Sequence, residues 1–143
     1  MISFKNLKKS YAKNVVLDID LLEIPKGQAF GLVGNNGAGK TTMFSCLLDL
    51  IKPTKGIVTN NGINVRESED WKTFSSAYLD ESFLIGYLMP EEYFYFIGEL
   101  RNVKEKEVNE FLKQFEDLFN GEILGGKKYI RDLSKGNQKK VGI

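Results

Sequence analysis

A chain of 143 residues with a formal net charge of +1, 42% hydrophobic residues and 27% charged residues has an ordinary globular composition. That length suits one domain burying roughly 70% of its unfolded surface. The chain has no histidine and a single cysteine, Cys46, which excludes a Ser-His-Asp or Cys-His triad, a histidine-ligated metal, an internal disulfide and a multi-cysteine zinc site. The lone thiol points to a reducing compartment, and the near-neutral charge argues against nucleic acid as a partner.

The first residues, Met1 to Asn6, lack the apolar run and cleavage site of a secretory signal. The longest apolar stretch, Phe83 to Met89, falls well short of the roughly 20 residues that span a bilayer. In chain order, Ile2-Ser3-Phe4 and Val15 to Leu22 read as strands, the second closed by the turn signal Pro25-Lys26-Gly27. Ala29-Phe30-Gly31-Leu32-Val33 is a compact apolar run bounded by glycine, the pattern of a strand buried on both faces. Met43, Phe44, Leu47, Leu48 and Ile51 then recur with helical spacing until Pro53. Ile57-Val58-Thr59 with Asn60-Asn61-Gly62 predicts a tight hairpin, and Ser76 to Leu79 a further short strand.

Pro90-Glu91-Glu92 is a helix start, with Tyr93, Phe94, Ile97 and Leu100 expected on one face. Lys104 to Phe119 predicts one amphipathic helix whose stripe is Val108, Phe111, Leu112, Phe115, Leu118 and Phe119. That stripe suits either a core or a partner. Ser134 is placed to cap a last helix through Val141.

One motif carries chemistry. Gly34-Asn35-Asn36-Gly37-Ala38-Gly39-Lys40-Thr41 fits G-x-x-x-x-G-K-[ST] at every position. Four fixed positions match by accident on the order of one time in a hundred or less in a chain this long. Glycines admit backbone conformations that turn successive N–H groups to one point. A helix starting near Gly39 aims its unpaired N–H groups, and the equivalent of about +0.5 charge, at that point. Lys40 supplies a full charge to β- and γ-phosphates, and the Thr41 hydroxyl is a ligand for Mg²⁺.

From here the whole chain resembles the ATP-binding subunit of an ABC transporter. Lys9-Ser10-Tyr11 is similar to the family's A-loop, which implies that Tyr11 stacks on adenine. The resemblance makes Gly34, Asn35, Asn36, Gly37, Ala38, Gly39, Lys40, Thr41 and Thr42 the nucleotide cradle. Lys52 to Gly56 followed by Asn61-Gly62 is similar to the family's stretch after the first helix. Tyr78-Leu79-Asp80-Glu81 falls at the Q-loop, with Glu81, or else Asp80, in place of the usual glutamine. The implied role of Glu81 is contact with Mg²⁺ or the attacking water, whereas the residues alone are as compatible with solvated loop charges.

Leu133-Ser134-Lys135-Gly136-Asn137-Gln138 resembles the signature motif LSGGQ, with lysine for the first of the paired glycines and asparagine for the glutamine. Ser134, Lys135, Gly136 and Asn137 are thereby implied to contact the ATP of a second protomer in a head-to-tail dimer. The aromatic-rich region from Phe83 to Phe96 lies where the family receives its transmembrane permease subunit. That makes Phe83, Leu84, Tyr87 and Met89 candidates for the contact, whereas the residues alone are as compatible with core.

The implied fold is α/β, a P-loop NTPase of ABC type with an antiparallel β subdomain and an α-helical subdomain. Its expected divisions are 1–75 (β subdomain and P-loop core), 76–89 (Q-loop region) and 90–143 (helical subdomain). The implied cofactors are ATP and Mg²⁺, and the implied location is cytoplasmic, on the inner face of the membrane through the permease. In the family a Walker B strand, a catalytic glutamate and a switch histidine follow the signature, so the chain reads as an N-terminal portion. It is expected to bind Mg-ATP, to hydrolyse it negligibly alone, and, where well ordered, to form a non-native or domain-swapped oligomer through unpaired sheet edges. The alternatives are a non-transport ABC-type module or another P-loop nucleotide-binding protein. No Asn-Lys-x-Asp tetrapeptide favours guanine.

Overall fold

Residues 2 to 24 fold back on themselves as a long antiparallel hairpin. Strands β1 (Ile2–Tyr11) and β2 (Asn14–Ile24) pair from Ile2 with Ile24 to Tyr11 with Asn14. The computed structural model describes residues 1–143 and divides them into two compact units, Met1–Ala77 and Tyr78–Ile143. None of its helices is long and apolar enough to cross a membrane.

In the first unit, β3 (Lys55–Asn60) and β4 (Ile63–Asn64) complete an antiparallel sheet of order β2-β1-β3-β4. The predicted turn joins them. Asn61 and Gly62 both have positive φ, 51° and 83°, the twist that matches two right-twisted strands. Helix α1 (Lys40–Leu47) lays Met43, Cys46 and Leu47 against Phe4 and Leu7 of β1 and Val58 of β3. Val65 and Trp71 close this core, and the Trp71 indole N–H donates to the Val65 carbonyl at 3.1 Å.

Two strand predictions need correction. Residues 29–33 are not a strand, and Phe30 and Val33 are 41% and 95% exposed. A strand buried on both faces needs hydrogen-bonded neighbours on both edges, and all four strands here belong to the antiparallel sheet. Residues 76–79 likewise join no ladder. In the opposite direction, β1 runs seven residues past Phe4, through a polar stretch that shows little alternation. Asn6 takes φ 49° opposite Gly56 at φ 88°, where the pairing of β1 and β3 shifts register. A Cβ on Gly56 would collide with the Asn6 carbonyl, so only glycine fits.

The second unit is helical: α2 (Pro90–Leu100), α3 (Glu105–Leu112), α4 (Glu116–Phe119) and α5 (Lys135–Gly142). Glu92 accepts from the Met89 N–H at 2.8 Å and Glu107 from the Lys104 N–H at 3.1 Å, capping α2 and α3. The single helix expected over 104–119 is broken by a 3₁₀ turn at Lys113–Phe115. The break turns Phe119 into the core against Phe94, ring centroids 5.9 Å apart, while Phe111 and Leu118 stay 57% and 45% exposed. Ile97 and Leu100 are also exposed, because α2 meets α3 through Gly98 and Val108. Val108, Leu112, Phe119, Ile123, Ile130 and Val141 form this unit's core.

Candidate functional site

Gly37 and Gly39 both sit at φ 85°, a region closed to most side chains. Gly39 is the N-cap of α1 and offers no side chain to close the helix end. The first turn of α1 carries no acidic residue, so its unpaired N–H groups and positive dipole end face the loop unneutralised. Gly39 is also packed. A Cβ there would collide with the Val16 carbonyl, because β2 bulges at Val16, where Lys9 pairs with Leu17 but Ser10 with Val15. The Lys40 ammonium donates to the Gly34 carbonyl at 2.6 Å and the Asn35 carbonyl at 2.7 Å, and Ala38 N–H to the Asn35 carbonyl at 3.2 Å. Asn35, Asn36 and Thr41 are exposed and Thr42 is half-buried.

Tyr11 ends β1 and is 52% exposed. The segment leaving α1 ties down its strand. Thr54 N–H donates to the Lys8 carbonyl at 2.7 Å, Ser10 N–H to the Thr54 hydroxyl at 2.9 Å, and the Lys9 ammonium to the Lys52 carbonyl at 2.8 Å. The bulge at Val16 and the clasp at Lys52 to Thr54 thus connect the tip of the β1–β2 hairpin with both ends of α1.

In the second unit, Asp80 caps a short 3₁₀ turn (Glu81–Phe83) by accepting from the Ser82 N–H at 2.7 Å. The Ser82 hydrogen bonds, with the Lys135 charge as a smaller contribution, hold the Asp80 carboxyl below its ordinary range. Glu81 is half-buried, 4.0 Å from the Lys139 ammonium. Ser134 caps α5, its hydroxyl accepting from Asn137 N–H at 3.2 Å. Asp80, Glu81, Arg131, Lys135 and Gln138 line one open cleft of about 390 Å³. Gly136 is exposed and Asn137 half-buried. Gln138, which the sequence did not single out, is buried and donates to the carbonyls of Arg131 and Leu133 at 3.2 and 3.1 Å.

Residues 17–143 match the sequence profile of the ABC transporter family. The chain belongs to that family. It is 34% identical to an uncharacterized ABC transporter ATP-binding protein of Methanocaldococcus jannaschii, an alignment covering 98% of this chain and 49% of that protein. It is 32% identical to the methionine import ATP-binding protein of Francisella tularensis subsp. holarctica, over 100% of this chain and 43% of that protein. A solved ATP-binding cassette, dimeric and in a post-hydrolysis state with ADP and Pi, superimposes with a TM-score of 0.71 at 26% identity, covering 99% of this chain and 67% of that one. The chain spans about half the length of the curated relatives it matches.

Within the ABC frame, the P-loop and Tyr11 lie in the first unit, and Glu81 and the signature residues in the second. Of the residues considered for permease contact, Phe83 and Tyr87 are 54% and 74% exposed, whereas Leu84 packs on the second unit's core. Arg131 lies over the Tyr87 ring, 4.6 Å from its centroid. Two stability-related results are expected here. Ser134→Ala removes the cap of α5 and lowers stability by about 1 kcal/mol, read as faster hydrogen exchange in α5. Cys46 is 1% exposed, and burial pushes its thiol up while the Lys9 charge opposes this weakly. Its alkylation at pH 8 is therefore expected to be on the order of 100-fold slower in the native chain than in urea.

Proposed function

We propose that this chain carries the nucleotide-binding part of an ABC transporter ATPase, and that the whole protein couples ATP binding and hydrolysis to movement of a solute through a transmembrane permease. On this reading the protein sits on the cytoplasmic face of the membrane, held there by the permease. The observation that supports it is the convergence at Gly39. A left-handed glycine delivers the uncapped start of α1 and the Lys40 ammonium to one exposed loop.

The donor set fits a triphosphate. Backbone N–H groups of the first turn of α1 and the Lys40 ammonium are all donors, and no first-turn carboxylate repels an anion. An incoming phosphate competes with the Gly34 and Asn35 carbonyls for Lys40. Tyr11 presents an exposed ring for the adenine base. Mg²⁺, when bound, neutralises phosphate charge. The exposed Thr41 hydroxyl is its ligand from this unit, and no cluster of three or more acidic, histidine or cysteine side chains offers a separate metal site. Glu81 is a further candidate ligand, with one carboxylate oxygen 4.0 Å from the Lys139 ammonium.

Ser134, Lys135, Gly136 and Asn137 are proposed to meet the nucleotide of a second protomer. The Ser134 hydroxyl accepts from Asn137 N–H, so its own O–H proton and the first-turn N–H groups without a side-chain partner are the donors left for the anion. Calorimetric titration tests the reading. Affinity should fall from ATP to ADP and sharply to AMP, and Mg²⁺ without nucleotide should give no saturable heat. AMP binding as tightly as ATP would contradict it.

A further inference from the structure

The Lys9 side chain has a position that the nucleotide-binding motif does not account for. Lys9 and Tyr11 are two residues apart on β1, so their side chains leave the same face of the strand. The Lys9 ammonium lies 4.7 Å from the centroid of the Tyr11 ring and donates at 2.8 Å to the Lys52 carbonyl. It is therefore fixed at two ends, by the aromatic face and by the segment that leaves α1. That segment is itself anchored, through buried Pro53 and the two Thr54 hydrogen bonds to β1.

We propose that Lys9 is a positioning residue for the base of the bound nucleotide: it occupies one face of the Tyr11 ring, holds the ring in place, and leaves the opposite face for stacking. This rests on the reading of Tyr11 as the base-contacting residue and adds the group that orients it. Two physical effects act together. A cation on one face holds the ring electrostatically and draws electron density toward itself, which favours an electron-rich purine on the other. A ring already ordered has less rotamer freedom to lose on binding. Lys9 touches no phosphate on this account, so its contribution belongs to the base alone.

The test compares Mg-ATP with inorganic tripolyphosphate, which keeps the phosphates and lacks the base. Lys9→Met keeps the aliphatic stem and removes the charge. It is expected to weaken ATP binding about 3- to 5-fold while leaving tripolyphosphate affinity unchanged. Lys9→Arg, which keeps a cation able to stack, is expected to restore most of the ATP affinity. In a Tyr11→Ala background, Lys9→Met should have no further effect on ATP, because the ring through which it acts is gone.

Equal weakening of ATP and tripolyphosphate would overturn the proposal, since Lys9 would then act on the phosphates. So would an undiminished Lys9→Met effect in the Tyr11→Ala background, or no effect of Lys9→Met on ATP. Failure of the wild-type chain to bind tripolyphosphate at all would instead remove the P-loop reading, and this inference with it.

Discussion

Replacing Lys40 with alanine is expected to weaken Mg-ATP binding about 30- to 150-fold, a loss of about 2–3 kcal/mol, with thermal stability almost unchanged. The two effects separate because of where the side chain lies. Its ammonium bonds only the Gly34 and Asn35 carbonyls of its own exposed loop, and the core of this unit is built from Met43, Cys46 and Leu47 further along α1. Removing the ammonium leaves two exposed carbonyls to water, so the change in stability should stay within about 0.5 kcal/mol. Against a phosphate, the same ammonium makes charge-assisted hydrogen bonds that water replaces poorly. Lys40→Met, which keeps the stem, should match the alanine variant in affinity. Calorimetry and a thermal melt on the same samples read both quantities.

Gly39→Ala is expected to damage binding and stability together. Gly39 holds φ 85°, and a Cβ would strike the Val16 carbonyl at the β2 bulge. The left-handed backbone costs about 1–2 kcal/mol for alanine, and the displaced bulge or helix start adds about 1–3 kcal/mol. A total of about 2–5 kcal/mol corresponds to a fall in Tm of about 6–20 °C. ATP affinity falls as well, because the start of α1 moves with the loop. Gly37→Ala is the control, with the same φ of 85° but open space around its Cβ position. It should cost only about 1–2 kcal/mol, the backbone contribution alone. Equal destabilisation by the two alanines would show that contact with the bulge contributes nothing.

Much of the candidate site was legible in the sequence because the proposed phosphate cradle is built from backbone and needs glycine at fixed offsets. Gly37, Gly39 and Lys40 declare themselves by residue type. The Asn61-Gly62 turn and the Ser134 cap were readable for the same reason: each depends on neighbours in the chain. What escaped depends on partners far along the chain. Ala29 to Val33 has a buried strand's composition, yet ladder partners rather than composition make a strand. The polar second half of β1 is held by the clasp from Thr54 and by register with β2, neither visible as alternation. Phe111 and Leu118 fit a continuous helical stripe, but the 3₁₀ turn at Lys113–Phe115 interrupts it before Leu118, and Phe111, within α3, stays exposed beside buried Val108 and Leu112. The contacts of Tyr11 with Lys9 and of Gly39 with Val16 involve residues the sequence singles out, but the contacts themselves follow no local pattern.

The central claim is that the loop from Gly34 to Thr42 and the start of α1 receive the phosphates of a nucleotide. Amide NMR spectra of the ¹⁵N-labelled chain, titrated with Mg-ATP, test it most directly. The account predicts that the largest shifts fall on the N–H groups of Gly37 to Thr42, with Tyr11 following for ATP but not for tripolyphosphate. Millimolar Mg-ATP that leaves those amides unmoved, or that shifts only residues between Tyr78 and Ile143, would contradict it.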